Sequence, residues 1–250
     1  MSLSHKSPTQ ELINCPVCSG TKFNHLFDKD TEPFVRCVQC QLTLINPRPT
    51  FDQISKKYDA KYSENYTKKY VKKRKRATKR VKRLRRANKC LGKWLDVGCS
   101  AGFVVEAAQN QGFSAFGIDL EKAGIEYGRN VLGLTNLVEG TLGDHQYPSQ
   151  YFDVISIYDV IEHVPDLNLF LSEVKRILKP QGVVDVGTPD IGHWRVPKDL
   201  PTWNEFKPSE HLYYFNKSTL SQLLEKYKLR ILTRRFALKP SLKITISHAL

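Results

Sequence analysis

The sequence predicts an α/β fold, a mostly parallel sheet finished by an antiparallel hairpin, with a small cysteine module ahead of it. Three observations carry this expectation. From Lys93 onward, short apolar strand-like runs alternate with amphipathic helical ones, the pattern of parallel strands joined by right-handed crossovers. The end of the chain breaks that alternation, with strand-type segments 229–238 and 242–247 joined around Pro240. Near the start, Cys15-Pro-Val-Cys18 and Cys37-Val-Gln-Cys40 stand eighteen residues apart.

The elements follow in order. Residues 11–49 contain both cysteine pairs and β-type segments at 22–27 and 42–45, closed by Asn46-Pro47-Arg48-Pro49. This reads as a separate module. Its spacing matches a four-thiolate zinc ribbon with Cys15, Cys18, Cys37 and Cys40 as ligands, the ion standing in for a core that about 40 residues cannot supply. Two disulfides or a redox-active pair are the alternatives. Gln41 occupies a position where such knuckles often carry glycine, and Cys90 and Cys99 are left over.

Residues 50–91 read as a helical connector. From 68 to 89 there are fourteen Lys or Arg and no acid, and without that run the chain has 25 bases against 25 acids. One segment therefore carries the whole net charge of +14. Tyr70, Ala77, Val81, Leu84 and Leu91 form one apolar stripe within it. Like charges at i,i+4 cost a helix a few tenths of a kcal/mol per pair, so a phosphate-bearing partner is expected there: RNA, a nucleotide-linked sugar, or an anionic lipid surface.

Residues 92–250 form the main domain. Strands are expected at 94–97, 114–119, 137–139, 152–158 and 183–187, with helices at 103–111, 122–129 and 167–178 between them. Asp166 is placed to cap the last of these, and Lys179-Pro180-Gln181-Gly182 stops it. A further helix is led by Leu220, Leu223 and Leu224. Between Pro189 and Asn216 the chain is irregular and aromatic-rich, with Trp194, Trp203, Phe206, Tyr213, Tyr214 and Phe215. The amino terminus lacks an apolar core of signal-peptide length, and no run approaches the roughly 18 apolar residues of a membrane span. A cytoplasmic location is expected.

The site signal begins at Leu95-Asp-Val-Gly-Cys-Ser-Ala-Gly102. Gly98 and Gly102 let the backbone turn sharply and approach a ligand, and Asp119 ends the next strand, where an acid can hold both hydroxyls of a ribose. A nucleoside ligand follows. The spacing Gly98-X-Ser100-X-Gly102 lacks the dinucleotide fingerprint and argues against NAD.

Four motifs in order, LDVGCSAG, Gly117-Ile-Asp119, YFDVISIYDVIEHV from Tyr151 and ILKPQGVV from Ile177, resemble those of class I S-adenosylmethionine-dependent methyltransferases. The resemblance covers about residues 90–250. It implies a Rossmann-like, seven-stranded sheet with a reversed last strand and adenosylmethionine across the strand carboxyl ends. Asp96, Gly98, Ser100 and Gly102 would then wrap the amino acid part of the cofactor, and Asp119 would take the ribose. Leu142 would pack on the adenine beside Thr141, which stands where relatives often have an acid; Asp144 is a less well spaced substitute. Cys99, Leu120 and Tyr158 complete the expected cofactor-binding set.

If the acceptor is a hydroxyl, a base should remove its proton, and His163, His193 and His211 are near the expected cleft. His163 and His211 are the catalytic candidates. Asp159, Glu162 and His163 also resemble the acidic cluster of ubiquinone-pathway O-methyltransferases, where a divalent ion has been proposed. The arrangement of ribbon, Asn-Pro-Arg-Pro and main domain is similar to bacterial enzymes that methylate sugars, polysaccharides or natural products. A small or carrier-linked acceptor is therefore expected, with O-methylation favoured. The competing readings are an RNA methyltransferase gripping its strand with ribbon and basic helix, and a non-catalytic module retaining the fold. Against RNA, the chain has no Asn/Asp-Pro-Pro-Tyr/Phe base-methylating signature.

Overall fold

The computed structural model describes residues 10–50, 53, 70–87, 92–208 and 210–249. Cys90, Leu91 and the ends of the basic run lie outside them.

At the amino end, β1 (Gln10–Glu11) pairs antiparallel with β5 (Arg48–Pro49), while β2 (Phe23–Lys29), β3 (Glu32–Cys37) and β4 (Thr43–Ile45) form an antiparallel meander. Strand β3 was not foreseen. The basic segment forms α1 (Tyr70–Ala87), with Ala77, Val81 and Leu84 buried along one face. There it packs on α2 (Phe103–Gln109), and the Tyr70 and Phe103 rings lie 5.5 Å apart.

The main sheet follows from the alternation. Strands β6 (Lys93–Val97), β7 (Ser114–Asp119), β8 (Leu137–Glu139), β9 (Phe152–Tyr158) and β10 (Leu178–Pro189) are parallel neighbours in the order β8-β7-β6-β9-β10. Helices α2, α3 (Lys122–Asn130) and α4 (Leu167–Ile177) cross between them. The Asp166 carboxylate accepts the Asn168 and Leu169 amides at 2.9 Å, capping α4. The segment 179–182 does more than stop a helix: β10 already begins at Leu178 and absorbs it as a bulge before re-pairing at Val183.

Helix α5 (Lys217–Glu225) starts in a capping box between Asn216 and Thr219. Strands β12 (Leu229–Arg234) and β13 (Ser241–His248) then close the sheet, β13 running antiparallel to both β10 and β12. The first hairpin strand ends at Arg234, earlier than expected.

The aromatic stretch is packed chain. It contains β11 (Tyr213–Tyr214), which pairs antiparallel with β4 and gives the amino-terminal sheet the order β11-β4-β3-β2. Phe34 and Ile45 share a cluster with Trp203, Phe206 and Tyr214. The cysteine segment and main domain thus share a sheet and a core, where the sequence suggests a separate module.

Chain order reverses direction between β6 and β9. In open parallel sheets such a switch point leaves a crevice at the strand carboxyl ends. The ends of β6, β7, β8 and β9 all face it.

Candidate active site

A cavity of about 470 Å³ opens at these strand ends. The turn after β6 forms its floor. Gly98 has φ 71°, and a Cβ there would come within 2.2 Å of Val160 Cγ2, so a side chain would force the loops apart. Gly102, at φ 80°, caps α2 behind the cavity wall. Ser100 also lies in the left-handed region, at φ 50°, which explains why glycine would suit that position.

Two acids organise the turn. Asp119 Oδ2 accepts the Ser100 amide at 2.7 Å and Oδ1 accepts the Glu121 amide at 2.8 Å. Each oxygen keeps capacity for a further donor. Asp96 is almost fully buried. Trp94 Nε1 donates to Ser156 Oγ at 2.9 Å, and that hydroxyl donates on to Asp96, which fixes the carboxylate. Burial raises the Asp96 pKa to about 7, against the lowering effects of Ser156 and Arg80. Burial also raises Asp119. Both acids are therefore primed to gain from cationic or hydroxyl donors.

Cys99, Leu120, Thr141, Leu142 and Tyr158 line the cavity with these residues. Asp144 does not. Its carboxylate accepts the Thr141 amide and hydroxyl at 2.8 and 2.6 Å, which fixes the turn that presents Leu142.

The family model described as a methyltransferase domain matches residues 68–234. The chain belongs to that methyltransferase-domain family. A protein of Mycolicibacterium smegmatis named as a probable S-adenosylmethionine-dependent methyltransferase is 30% identical over 142 residues, covering 56% of this chain and 53% of the relative. This chain thus spans about half of that relative's length. The ubiquinone biosynthesis O-methyltransferase of Actinobacillus pleuropneumoniae serotype 7 is 30% identical over 181 residues, covering 61% and 76% of the two chains. Among solved structures, an S-adenosylmethionine-dependent methyltransferase from Bacteroides fragilis, in complex with S-adenosyl-L-homocysteine, has a TM-score of 0.54 at 19% identity. It covers 68% of this chain and 77% of its own, and the likeness is one of fold.

Within this methyltransferase domain, the cavity contains residues the motifs did not flag. Glu121 lines it, is buried, and has an Oε1 without a hydrogen-bond partner among the described residues; burial raises its pKa to about 7. Helix α1 supplies Lys73, Arg76 and Arg80 to the wall. The Arg80 guanidinium sits 3.7 Å from the Tyr158 ring centroid, and Tyr158 donates its hydroxyl to Asp185 at 2.6 Å. Nothing in the basic composition of α1 pointed to this inward role.

His163 lines the cavity as well, with Nδ1 2.7 Å from the Glu210 carbonyl. A carbonyl can only accept, so Nδ1 carries the proton and Nε2 is the basic nitrogen. Burial lowers its pKa. His211 stands behind it, outside the cavity lining, with ring centroids 4.6 Å apart, and burial lowers its pKa to about 2. The expected trio is rearranged. Asp159 is exposed and lies 3.9 Å from Arg76, whereas Glu162, His163 and His211 bring one ligand atom each within 4.8 Å of one another. The Leu212 amide bonds the Glu162 carbonyl at 2.8 Å and thereby brings His211 in. His193 is occupied elsewhere, its Nε2 on the Ala237 carbonyl at 2.9 Å.

Away from the cavity, the sulfurs of Cys15, Cys18, Cys37 and Cys40 all lie within 4.8 Å of one another, with contacts of 3.4 and 3.5 Å. A tetrahedral zinc with Zn–S near 2.3 Å requires edges of about 3.8 Å, so the four sulfurs fit one ion. Burial opposes ionisation of Cys37, but the Cys40 and Gln39 amides and the Cys18 sulfur outweigh it and lower its pKa. Ser19 and Gln41, each following the second cysteine of a knuckle, have φ 61° and 67°. Gln41 thus takes the conformation glycine would adopt freely.

Proposed function

We propose that this chain transfers a methyl group from S-adenosylmethionine to a hydroxyl of a small or carrier-linked metabolite, of the glycan or secondary-metabolite precursor class. The observation that carries the cofactor assignment is Asp119, held by two loop amides beside a turn where Gly98 has no room for a side chain. When bound, adenosylmethionine supplies a methyl group already activated on a sulfonium. Asp119 would hold the ribose hydroxyls, buried Asp96 the cationic amino acid end, and Leu142 one face of the adenine.

Methyl transfer asks for alignment more than covalent help. His163 supports an oxygen acceptor, because an imidazole that lines the cavity can take a hydroxyl proton. His211 acts as a positioning residue through its packing on His163. The relatives named as ubiquinone biosynthesis O-methyltransferases agree with oxygen as the acceptor atom. The four cysteines are proposed to hold a structural zinc, and the outer face of α1 to meet a phosphate-bearing partner.

The cofactor assignment is tested by calorimetric titration of S-adenosylhomocysteine into the native chain and Asp119→Ala. The native chain should bind, and the variant at least tenfold more weakly, since hydrogen bonds to a charged group are worth about 1.5–3 kcal/mol. No binding by the native chain would remove the assignment. For the base, His163→Gln should lower the rate of methyl incorporation into an accepted substrate by about 10²- to 10⁴-fold, well beyond any loss of S-adenosylhomocysteine affinity. The acidic limb of the native rate profile should fall below pH 6.5, because His163 titrates below its ordinary value.

A further inference from the structure

Arg76, Arg80 and Tyr158 line a second cleft besides the methyl-donor cavity, and this one has a volume of about 720 Å³. Seven bases of α1 line it, and Arg235 and Lys243 face them from the terminal hairpin. Three carboxylates of the described residues offset this charge, one of them Asp96, which attracts Arg80. Asp159 lies 3.9 Å from Arg76, and fully buried Asp185 takes Arg83 at 2.5 Å and Arg235 at 2.8 Å. The same Asp185 accepts the Tyr158 and Thr245 hydroxyls at 2.6 and 3.0 Å. It thus fixes two guanidiniums while sharing a single negative charge among several donors. Burial lowers the pKa of Lys243, and Arg76, Arg80, Arg235 and Arg83 lower it further. The cleft holds more positive charge than its own acids satisfy.

We propose that this cleft binds the diphosphate group of the acceptor molecule, whose methyl-accepting end then reaches the adjoining cavity. The proposal rests on the methyltransferase reading. Its chemistry is direct, because planar guanidiniums bind phosphate oxygens bidentately and lose little entropy when already held in place. A concave site of this volume suits a compact ligand. Four of the cations that converge here, Arg80, Arg83, Arg235 and Lys243, are partly buried, and Arg76 and Arg80 belong to the wall shared with the methyl-donor cavity. A polynucleotide follows an open stripe of charge, whereas Arg235 and Lys243 face α1 across this cleft. The diphosphate could be carried by a nucleoside or by a lipid, and both present the same group.

The test uses the full chain and starts with inorganic pyrophosphate, titrated with and without S-adenosylhomocysteine. Saturable one-to-one binding is expected that sulfate at equal ionic strength does not abolish. The double variant Lys79→Gln/Lys243→Gln should weaken it at least tenfold while S-adenosylhomocysteine affinity stays within twofold; Lys82→Gln provides a second, exposed substitution should the double variant fold poorly. Competition by a nucleoside diphosphate, or by vesicles doped with a polyprenyl diphosphate, identifies the carrier and supports the site in either case. The proposal is overturned by absent or non-saturable pyrophosphate binding, or by unchanged affinity in the variants. It is equally overturned by RNA binding that strengthens with strand length and resists pyrophosphate. Failure of S-adenosylhomocysteine to bind while pyrophosphate still does would strike the methyltransferase reading and leave the anion site standing.

Discussion

Glu162 shows how much a single side chain depends on its surroundings. It is buried, with Oε2 accepting from Thr188 at 2.9 Å and Oε1 unpartnered among the described residues. Burial, then the charge of Asp159, raises its pKa from 4.5 to about 8. The unfolded chain releases this proton near pH 4.5 and the folded chain only near pH 8. The unfolded state therefore binds fewer protons across that interval, and stability is lost as pH rises, by at most about 1.4 kcal/mol per unit. Glu162→Gln removes the titration, so its melting temperature relative to the native chain should climb by several degrees between pH 5 and pH 8. A difference independent of pH would contradict the assignment. His163 and His211 act in the opposite sense. Their folded pKa values are lowered by burial, so the unfolded state takes up protons first and stability falls as pH drops below about 6.5. At this scale the sequence showed Asp119 and the glycine turn, because local motifs carry them. It did not show Glu121, whose importance comes from a cavity formed by distant strands, nor that His211 takes the place expected of Asp159.

Among the elements, α1 combines two roles. Its apolar stripe of Ala77, Val81 and Leu84 packs on α2, and its flanks line both clefts. The stripe was legible from spacing alone. The inward reach of Arg76 and Arg80 was not, since charge composition does not say which base faces a cavity. Leu84→Ala should cost about 2–5 kcal/mol by leaving a void, whereas Lys82→Ala on the exposed side should stay within about 0.5 kcal/mol. Chemical denaturation of both variants checks this, and equal effects would contradict the packing face. Strand β11 gives a contrasting case. Two tyrosines inside an irregular stretch carry no period, so their pairing with β4 could not be foreseen.

Across the whole molecule, the shared sheet and aromatic cluster tie the cysteine segment to the main domain. Tyr213 bonds the Pro165 carbonyl at 3.0 Å from its hydroxyl, which also accepts from Arg48. Lys226 of the main domain reaches the Pro16 carbonyl at 2.7 Å, beside the first knuckle. Purified protein should carry one zinc per chain. Its removal by a chelator should lower the midpoint of a single cooperative transition, followed through tryptophan fluorescence, because Trp203 lies in the shared cluster. A separate early transition confined to the cysteine segment would show that the two parts are energetically independent.

The sequence by itself determined the order of the parallel strands and helices, the four-cysteine spacing and the glycine turn with Asp119 beside it. Each is written in neighbouring residues, as apolar period, cysteine spacing or glycine turn. Only the tertiary structure decided that α1 walls the cavity at the strand ends, that His211 meets Glu162 and His163, and that a strand from the aromatic stretch completes the amino-terminal sheet. Those contacts join residues tens of positions apart, and their geometry comes from how the sheet places its strand ends.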